Sequence, residues 1–245
     1  MKTSSFKILP RAAIAALSMA AFGAHAATNL LSNGDFETGT YAGWSVNTQP
    51  GSAGALSVVA NNGGTAPVSG FAYAVNATGG NSFSITDQGG PGSYALTQSF
   101  TLASASTVTI SFQMFANNQA AGTFNNGRDY TTSPNQNAEV DLLVGGADAF
   151  TNAAADIVST LYGPGADAAA NPNPWSSFSS TLALAAGTYQ IRFAETDNQL
   201  FFQQGVDNVS VTAASTVPEP DSMLLMLAGL GVVATIARRK QRASR

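Results

Sequence analysis

Short runs in which apolar and polar residues alternate recur through the middle of this 245-residue chain. The clearest are residues 108–114, 139–144 and 189–194, where at least every second side chain is apolar. Successive side chains of a β-strand point to opposite faces, so this period of two predicts strands with one buried face. Weaker runs of the same kind cover residues 55–60, 71–76, 83–86, 94–102, 175–184 and 205–212.

Clusters of glycine, proline and asparagine separate these runs, at residues 61–64, 79–81, 89–92 and 171–174. Such residues favour turns, each for its own backbone reason. Many short strands joined by turns predict an all-β fold, an antiparallel β-sandwich (jelly roll), which we place at residues 27–216. Two longer polar segments, 117–137 and 163–174, are either ligand-binding loops or solvated connectors.

The N-terminus has the pattern of a removable signal peptide. Three basic residues within the first eleven positions precede an apolar stretch at 12–22, and small residues follow at the end of this region. We therefore predict a signal peptide over residues 1–26, cut by signal peptidase between Ala26 and Ala27. An uncleaved anchor is the alternative, but the apolar stretch is about half of the roughly 20 residues that a spanning helix needs.

The composition between the two ends excludes several classes of function. Arg128 and Arg192 are the only basic residues between Ala27 and Val217, against twelve acidic ones, so this region carries a formal charge near −10. Such a charge repels phosphate backbones, and we predict no nucleic-acid partner. The chain has no cysteine, and its one histidine, His25, lies in the signal peptide. Thiol chemistry, disulfides and histidine-dependent sites are therefore excluded.

The C-terminal tail has three parts in a fixed order. Pro218, Glu219 and Pro220 come first, an apolar segment follows at 223–237, and a basic cluster fills 238–242. As a helix, the 15-residue apolar segment is about 22 Å long. This is shorter than the roughly 30 Å hydrocarbon core, which suits a transient transmembrane helix of the precursor better than a permanent anchor. The basic cluster is expected to stay on the cytoplasmic side.

This tail, residues 217–242, resembles the PEP-CTERM sorting signal of Gram-negative bacteria, which is also known as the ice-binding protein C-terminal domain. The resemblance rests on the literal Val-Pro-Glu-Pro, the short apolar helix and the arginine-rich end. It implies recognition by an exosortase, cleavage close to Pro218, Glu219 and Pro220, and export alongside exopolysaccharide. The alternative is an ordinary tail anchor with an incidental Pro-Glu-Pro.

Two motifs stand at the ends of the predicted sandwich. Residues 29–37 read Asn-Leu-Leu-Ser-Asn-Gly-Asp-Phe-Glu, with Trp44 shortly after them, and residues 205–211 read Gly-Val-Asp-Asn-Val-Ser-Val. They resemble the opening and closing strands of galactose-binding-like jelly rolls, including several families of carbohydrate-binding modules. The resemblance implies a jelly roll, a polysaccharide ligand and contact between the first and last strands. We expect Trp44 in the core.

The closing motif places a carboxylate among apolar residues. In an extended strand, Asp207 shares one face with Val209 and Val211, so a buried valine face would bury the carboxylate too. An ionised carboxylate is buried only with a partner. The resemblance implies Glu37 as its neighbour, and two adjacent carboxylates favour a structural Ca²⁺ ion held by Glu37 and Asp207. The alternatives are hydrogen bonds from backbone N–H groups, or a β-bulge that turns Asp207 outward.

Sugar recognition needs aromatic faces for the pyranose rings and amides for the hydroxyls. Trp175, which follows the Asn-Pro-Asn-Pro loop, is the first candidate platform, and Tyr130, Phe201 and Phe202 are others. The amide of Asn198 suits hydroxyl binding. The alternative for Trp175 is a place in the core.

Together these patterns predict an exported, non-catalytic surface or matrix protein that associates with exopolysaccharide through its sandwich. One alternative is a structural surface protein without a small ligand. A second is a polysaccharide-acting enzyme that uses a pair of carboxylates, since glycoside hydrolysis needs no histidine.

Overall fold

The computed structural model of the chain describes residues 28–120, 123–125, 127–163, 173–215, 226–234 and 238–239. The predicted signal peptide, with Ala26 and Ala27, lies outside the described residues, and so do Pro218, Glu219 and Pro220.

The described residues of the domain form ten β-strands. They are β1 (Ser45–Thr48), β2 (Gly54–Ala60), β3 (Ser82–Gln88), β4 (Gly92–Leu102), β5 (Ser106–Asn118), β6 (Asn137–Val144), β7 (Ile157–Tyr162), β8 (Ser176–Leu184), β9 (Gly187–Asp197) and β10 (Phe202–Ser215). The prediction of an all-β fold is therefore confirmed.

The strands form two five-stranded sheets in which every neighbouring pair is antiparallel. The first sheet has the order β1-β4-β9-β6-β7 and the second the order β2-β3-β10-β5-β8. Leu96 and Phe193 of the first sheet share one buried cluster with Ile110 and Val206 of the second. The sheets thus pack face to face, which confirms the antiparallel jelly-roll sandwich.

The run 71–76 is the one predicted strand that is wrong. Its backbone forms only an isolated β-bridge, between Thr65 and Ala72, and no strand of a sheet. A side-chain amide binds its end: Asn61 accepts from the Asn76 N–H at 2.7 Å and donates to the Asn76 carbonyl at 2.9 Å. Strands β1 and β7 were missed. Both lie at sheet edges, where half-exposed side chains give no clear period.

Loops cover the outer faces of both sheets, so the sandwich has more than two layers. Segment 61–80 covers the second sheet, and its Tyr73 packs edge-on against Phe83 at 5.0 Å. Segments 127–136 and 145–156 cover the first sheet, where Thr151 accepts a hydrogen bond from Arg192 at 2.6 Å. Polar side chains are consequently buried on both faces of the central strands.

The tail is described only in part. Residues 226–234 form a helix with exposed side chains, and the rest of the predicted membrane helix 223–237 lies outside the described residues. Within the described part of the chain, no helix combines the length and the apolar character needed to span a membrane.

Candidate functional site

The opening motif runs along the last strand. The Leu30 N–H donates to the Val211 carbonyl at 2.8 Å, and the Val209 N–H donates to the Gly34 carbonyl, also at 2.8 Å. The first and last segments of the domain therefore meet, in agreement with what the resemblance implied.

The structure brings Glu37 and Asp207 together at one tight turn. Gly79 lies against the Asp207 carboxylate and Gly80 against that of Glu37, so closely that a Cβ at either glycine would clash. Burial raises the pKa of Asp207 to about 6, and the negative charge of Glu37 adds to this effect.

The sequence predicted that Asp207 shares one face of its strand with Val209 and Val211. This prediction is wrong. A β-bulge lies between Asp207 and Ser210, where Asn208 takes a φ of 50°. The extra residue reverses the alternation, so that Val209 faces the core while Asp207, beside Gln113 in the register, faces outward beneath segment 61–80. The side chain is nevertheless fully buried.

N–H groups already bind both carboxylates. Glu37 accepts from the backbone N–H groups of Asn81 at 2.6 Å and Ser82 at 2.9 Å, and the Asn81 side chain and Ser82 N–H lower its pKa. Asp207 accepts from the Asn208 N–H at 2.7 Å and from the Asn76 amide at 2.9 Å. This is the hydrogen-bonded alternative to a metal.

A calcium ion at Glu37 and Asp207 stays a prediction. Calcium takes six to eight oxygen ligands, and the two side chains offer four oxygens at most. Among the described residues there is no group of three or more acidic or histidine side chains suited to a metal ion.

The two tryptophans both pack inside the protein. Trp44 lies in the main core, as predicted. Trp175 is half-buried, packs edge-on against Phe83 and Phe115 at 5.1 and 4.8 Å, and donates its indole N–H to the Ala74 carbonyl at 2.8 Å. It helps to attach segment 61–80 to the second sheet.

Tyr130 and Asn198 hold a loop in place. The Asn198 amide donates to the carbonyls of Tyr130 and Thr132, both at 2.8 Å, and accepts from the Asn135 N–H at 2.7 Å. The Tyr130 hydroxyl donates to the Pro50 carbonyl at 2.6 Å. Ligand contacts by these residues stay predictions, and the Asn198 amide has its protein partners already.

Exposed aromatic surface lies elsewhere, at the end of the sandwich near the β9–β10 turn. Phe71 and Phe201 stack with their ring centroids 3.8 Å apart and their planes at 28°. Phe71 is 38% exposed, and the neighbouring Leu200 is 54% exposed. We call Phe71 and Phe201 the aromatic stack. Sequence reasoning named Phe201 as a platform but assigned Phe71 to a strand.

A buried row of polar side chains lies beneath the aromatic stack. Asp87 accepts from the N–H groups of Val68 and Ser69 at 2.7 and 2.9 Å. Gln203 donates to Asp87 at 3.1 Å and accepts from Asn117 at 3.1 Å. This row fixes the loop that carries Phe71 to the second sheet.

A second polar group lies inside the sandwich, and sequence reasoning missed it. Glu195 and Asp197 are fully buried, and the register of β4 and β9 places Tyr94 beside Glu195 and Gly92 beside Asp197. Burial raises the pKa of Asp197 to about 8, against the opposing effect of hydrogen bonds from Glu195 and other neighbours. Burial and these two carboxylates also raise the pKa of Tyr94. The sequence did contain a signal for this group. Glu195 and Asp197 follow Phe193 at intervals of two, so all three side chains point to the core face of β9.

No curated protein sequence matches this chain. Its fold is similar to TmCBM61 in complex with beta-1,4-galactotriose, at 15% identity and a TM-score of 0.47, covering 76% of this chain and 99% of that one. It is also similar to the CBM22-1 xylan-binding domain of Paenibacillus barcinonensis Xyn10C, at 13% identity and a TM-score of 0.45, covering 78% and 98%. A third similar structure is the enzymatically active domain of bacteriophage CBA120 tailspike protein 4, at 11% identity and a TM-score of 0.46, covering 76% and 21%.

Similarities at this identity and TM-score carry neither ligand nor activity over to this chain. The tail is a different case, because residues 216–242 match the PEP-CTERM protein-sorting motif. The chain therefore ends in a PEP-CTERM protein-sorting motif.

Proposed function

We propose that this is an exported, non-catalytic surface protein whose sandwich domain associates with neutral extracellular polysaccharide through the aromatic stack. The sorting motif at 216–242 supports export and processing by an exosortase. It also supports insertion of the apolar tail segment into the membrane before that processing.

The aromatic stack, in which Phe71 is exposed and Phe201 half-buried, is the observation that carries the polysaccharide proposal. Aromatic rings bind sugars by stacking against the C–H groups of the pyranose ring. The stack is rigid before binding, because Asp87 and Gln203 hold the loop beneath it through buried hydrogen bonds. A preorganised platform loses little conformational entropy on binding, which favours affinity for a repetitive polymer.

Charge narrows the class of polymer. The region between Ala27 and Val217 has only two basic side chains, Arg128 and Arg192, and both are buried. The net charge of this region repels polyanions and leaves no exposed cation for a uronate or sulfate group. A neutral polysaccharide therefore fits the surface better than an acidic one.

Burial of the interior acids supports the non-catalytic reading. A glycosidase needs two carboxylates on either side of the scissile bond, within reach of the substrate. Glu195 and Asp197 are adjacent, but both are fully buried, so a polymer chain has no access to them.

Binding of the purified protein to a panel of neutral polysaccharides, including the producing cell's own secreted polymer, tests the proposal. We expect Phe201→Ala and Phe71→Ala each to weaken binding about tenfold, the equivalent of ~1.4 kcal/mol. Val158→Ala is the matched control, because this side chain is similarly exposed, at 38%, on β7. Release of reducing ends from the bound polymer would instead support the enzyme.

Two results would contradict the assignment. Binding that is indifferent to the aromatic stack but lost in Trp175→Ala would move the site to the residue named from sequence. Failure to bind any polymer would leave the structural surface protein as the better account.

We also propose that Glu37 and Asp207 hold a structural calcium ion when calcium is present. Metal binding would compensate the two neighbouring carboxylates and join the turn at Gly79 and Gly80 to β10. The expected result is a higher thermal midpoint in calcium than in EDTA, with a smaller rise in Asp207→Asn. An identical midpoint in both buffers would remove the metal.

A further inference from the structure

The interior of the sandwich contains two carboxylates that the proposed function does not use. Glu195 and Asp197 lie two residues apart on the inward face of β9, and neither is exposed to solvent. Two neighbouring carboxylates repel each other, and burial of an ionised carboxylate is strongly unfavourable unless a cation or a proton compensates it. This compartment therefore needs a positive partner.

The described domain has no basic side chain for this role. Arg128 and Arg192 are the only basic residues between 28 and 215. Both are bound on the opposite, outer face of the first sheet: Arg192 donates to Asp141 from two nitrogens, at 2.6 and 3.2 Å, and Arg128 pairs with Glu139. Without a cation, the pair is compensated by the proton that burial retains on it; a cation that replaces this proton must come from outside the domain.

Oxygen atoms of the second sheet face the same compartment. Gln204 neighbours Ala116 in the register of β10 and β5, and Glu195 neighbours Ala138 in the register of β9 and β6. The two alanines pack in one cluster across the sandwich, so the rows that contain Gln204 and Glu195 face each other. Gln204 is 1% exposed, and its Oε1 atom has no hydrogen-bond partner among the described residues.

Tyr94 adds a further oxygen from the first sheet. Its side chain is fully buried beside Glu195, and its hydroxyl has no hydrogen-bond partner in the part of the chain that the structure describes. This hydroxyl is packed against Gly54 and Gly92, where any Cβ would clash with it. Asp197 lies at the same place, where hydrogen bonds with Glu195, the Gln88 side chain and the Gly92 backbone act on its carboxylate.

The donor set has a definite chemical character. Two carboxylates, one amide oxygen and one hydroxyl are all hard oxygen ligands, the kind that calcium prefers, and the two negative charges match a divalent ion. Zinc prefers imidazole nitrogen and thiolate sulfur, and the described part of the chain has no histidine and no cysteine.

We infer that Glu195, Asp197 and Gln204 bind a hard divalent cation of the calcium class inside the sandwich, with the Tyr94 hydroxyl as a further ligand. Both carboxylates are ionised when the cation is bound, so binding releases the proton that burial otherwise retains on the pair. The site is separate from Asp207, which faces the outer side of the second sheet.

Calcium titration by isothermal calorimetry tests the inference on purified protein that carries Asp207→Asn, a change that removes the other candidate site. We expect one equivalent of calcium to bind. Addition of Asp197→Asn is expected to weaken this binding at least tenfold, whereas addition of Asp148→Asn, the same charge change at an exposed position, leaves it unchanged. Glu195→Gln provides a second variant if Asp197→Asn does not fold.

Terbium luminescence supplies an independent readout, because excited tyrosine transfers energy to a bound lanthanide at short range. In the same Asp207→Asn protein, Tyr94→Phe keeps both carboxylates and is expected to remove most of the sensitised emission. The inference is overturned if the Asp207→Asn protein binds no calcium. It is equally overturned if binding survives both Asp197→Asn and Glu195→Gln, or if Tyr94→Phe leaves the emission undiminished.

Discussion

Replacement of Arg192 by methionine tests the outer layer of the first sheet. Arg192 and Asp141 form an ion pair in which neither side chain is exposed. The variant leaves the Asp141 carboxylate buried with only the Thr160 hydroxyl, at 2.9 Å, as a remaining side-chain donor. The carbonyls of Ala149 and Thr151 also lose the donor that holds segment 145–156.

The expected cost of Arg192→Met is large. Removal of one partner from a buried ion pair costs about 3–5 kcal/mol, mainly because the other charge is left uncompensated. For a domain of this size each kcal/mol lowers the thermal midpoint by roughly 2–4 °C, so we expect a fall of about 6–20 °C. Urea denaturation followed by the fluorescence of buried Trp44 measures the free energy of unfolding directly.

The double variant Arg192→Met with Asp141→Leu distinguishes this reason from a simple loss of packing. Without either charge, no ion remains buried, and most of the loss is expected to be recovered. A single variant that costs less than about 1 kcal/mol, or a double variant as unstable as the single one, would refute the reasoning.

Two further predictions concern the segments that close the fold. Gly34→Ala places a Cβ against the Val209 carbonyl and is expected to lower the free energy of unfolding, measured by urea denaturation, by about 1–3 kcal/mol. Gly163→Ala is the control, because a Cβ there enters open space. Equal losses of stability in the two variants would contradict the steric account. Asn198→Ala removes three hydrogen bonds to the 129–136 segment, so trypsin is expected to cut after Arg128 many times faster than in the unchanged protein. An unchanged cleavage rate would show that other contacts hold that segment.

The alternation of apolar and polar residues was enough to predict most strands, because most strands bury one face and carry apolar side chains on it. In β9, for example, Ile191 and Phe193 alternate with polar residues. The same rule failed at Asp207, because a single extra residue at Asn208 reverses which face each later side chain occupies. A bulge of this kind is set by local backbone conformation and tertiary packing, and no period in the sequence reveals it.

The candidate sites were harder to predict, because loops without regular structure determine which side chains are covered and which stay exposed. Trp175 has a ring of the kind that stacks on sugars, yet this ring packs against Phe83 and Phe115. Phe71, the stacking partner of Phe201, lies 130 positions earlier in the chain. It belongs to a segment whose backbone is held by hydrogen bonds from side-chain amides. Contacts over such separations arise from the assembled fold and leave no local pattern.

The pairing of residues 29–34 with β10 has a consequence for export. The partners are about 180 positions apart, as in the hydrogen bond from Asn29 to the Val209 carbonyl. Contacts over such separations form late, because the intervening chain must be closed into a loop first. A chain that crosses the membrane from its N-terminus cannot seal this sandwich until β10 has emerged, and the sorting motif begins directly after that strand. Completion of the fold and emergence of the sorting motif are therefore expected to coincide in time.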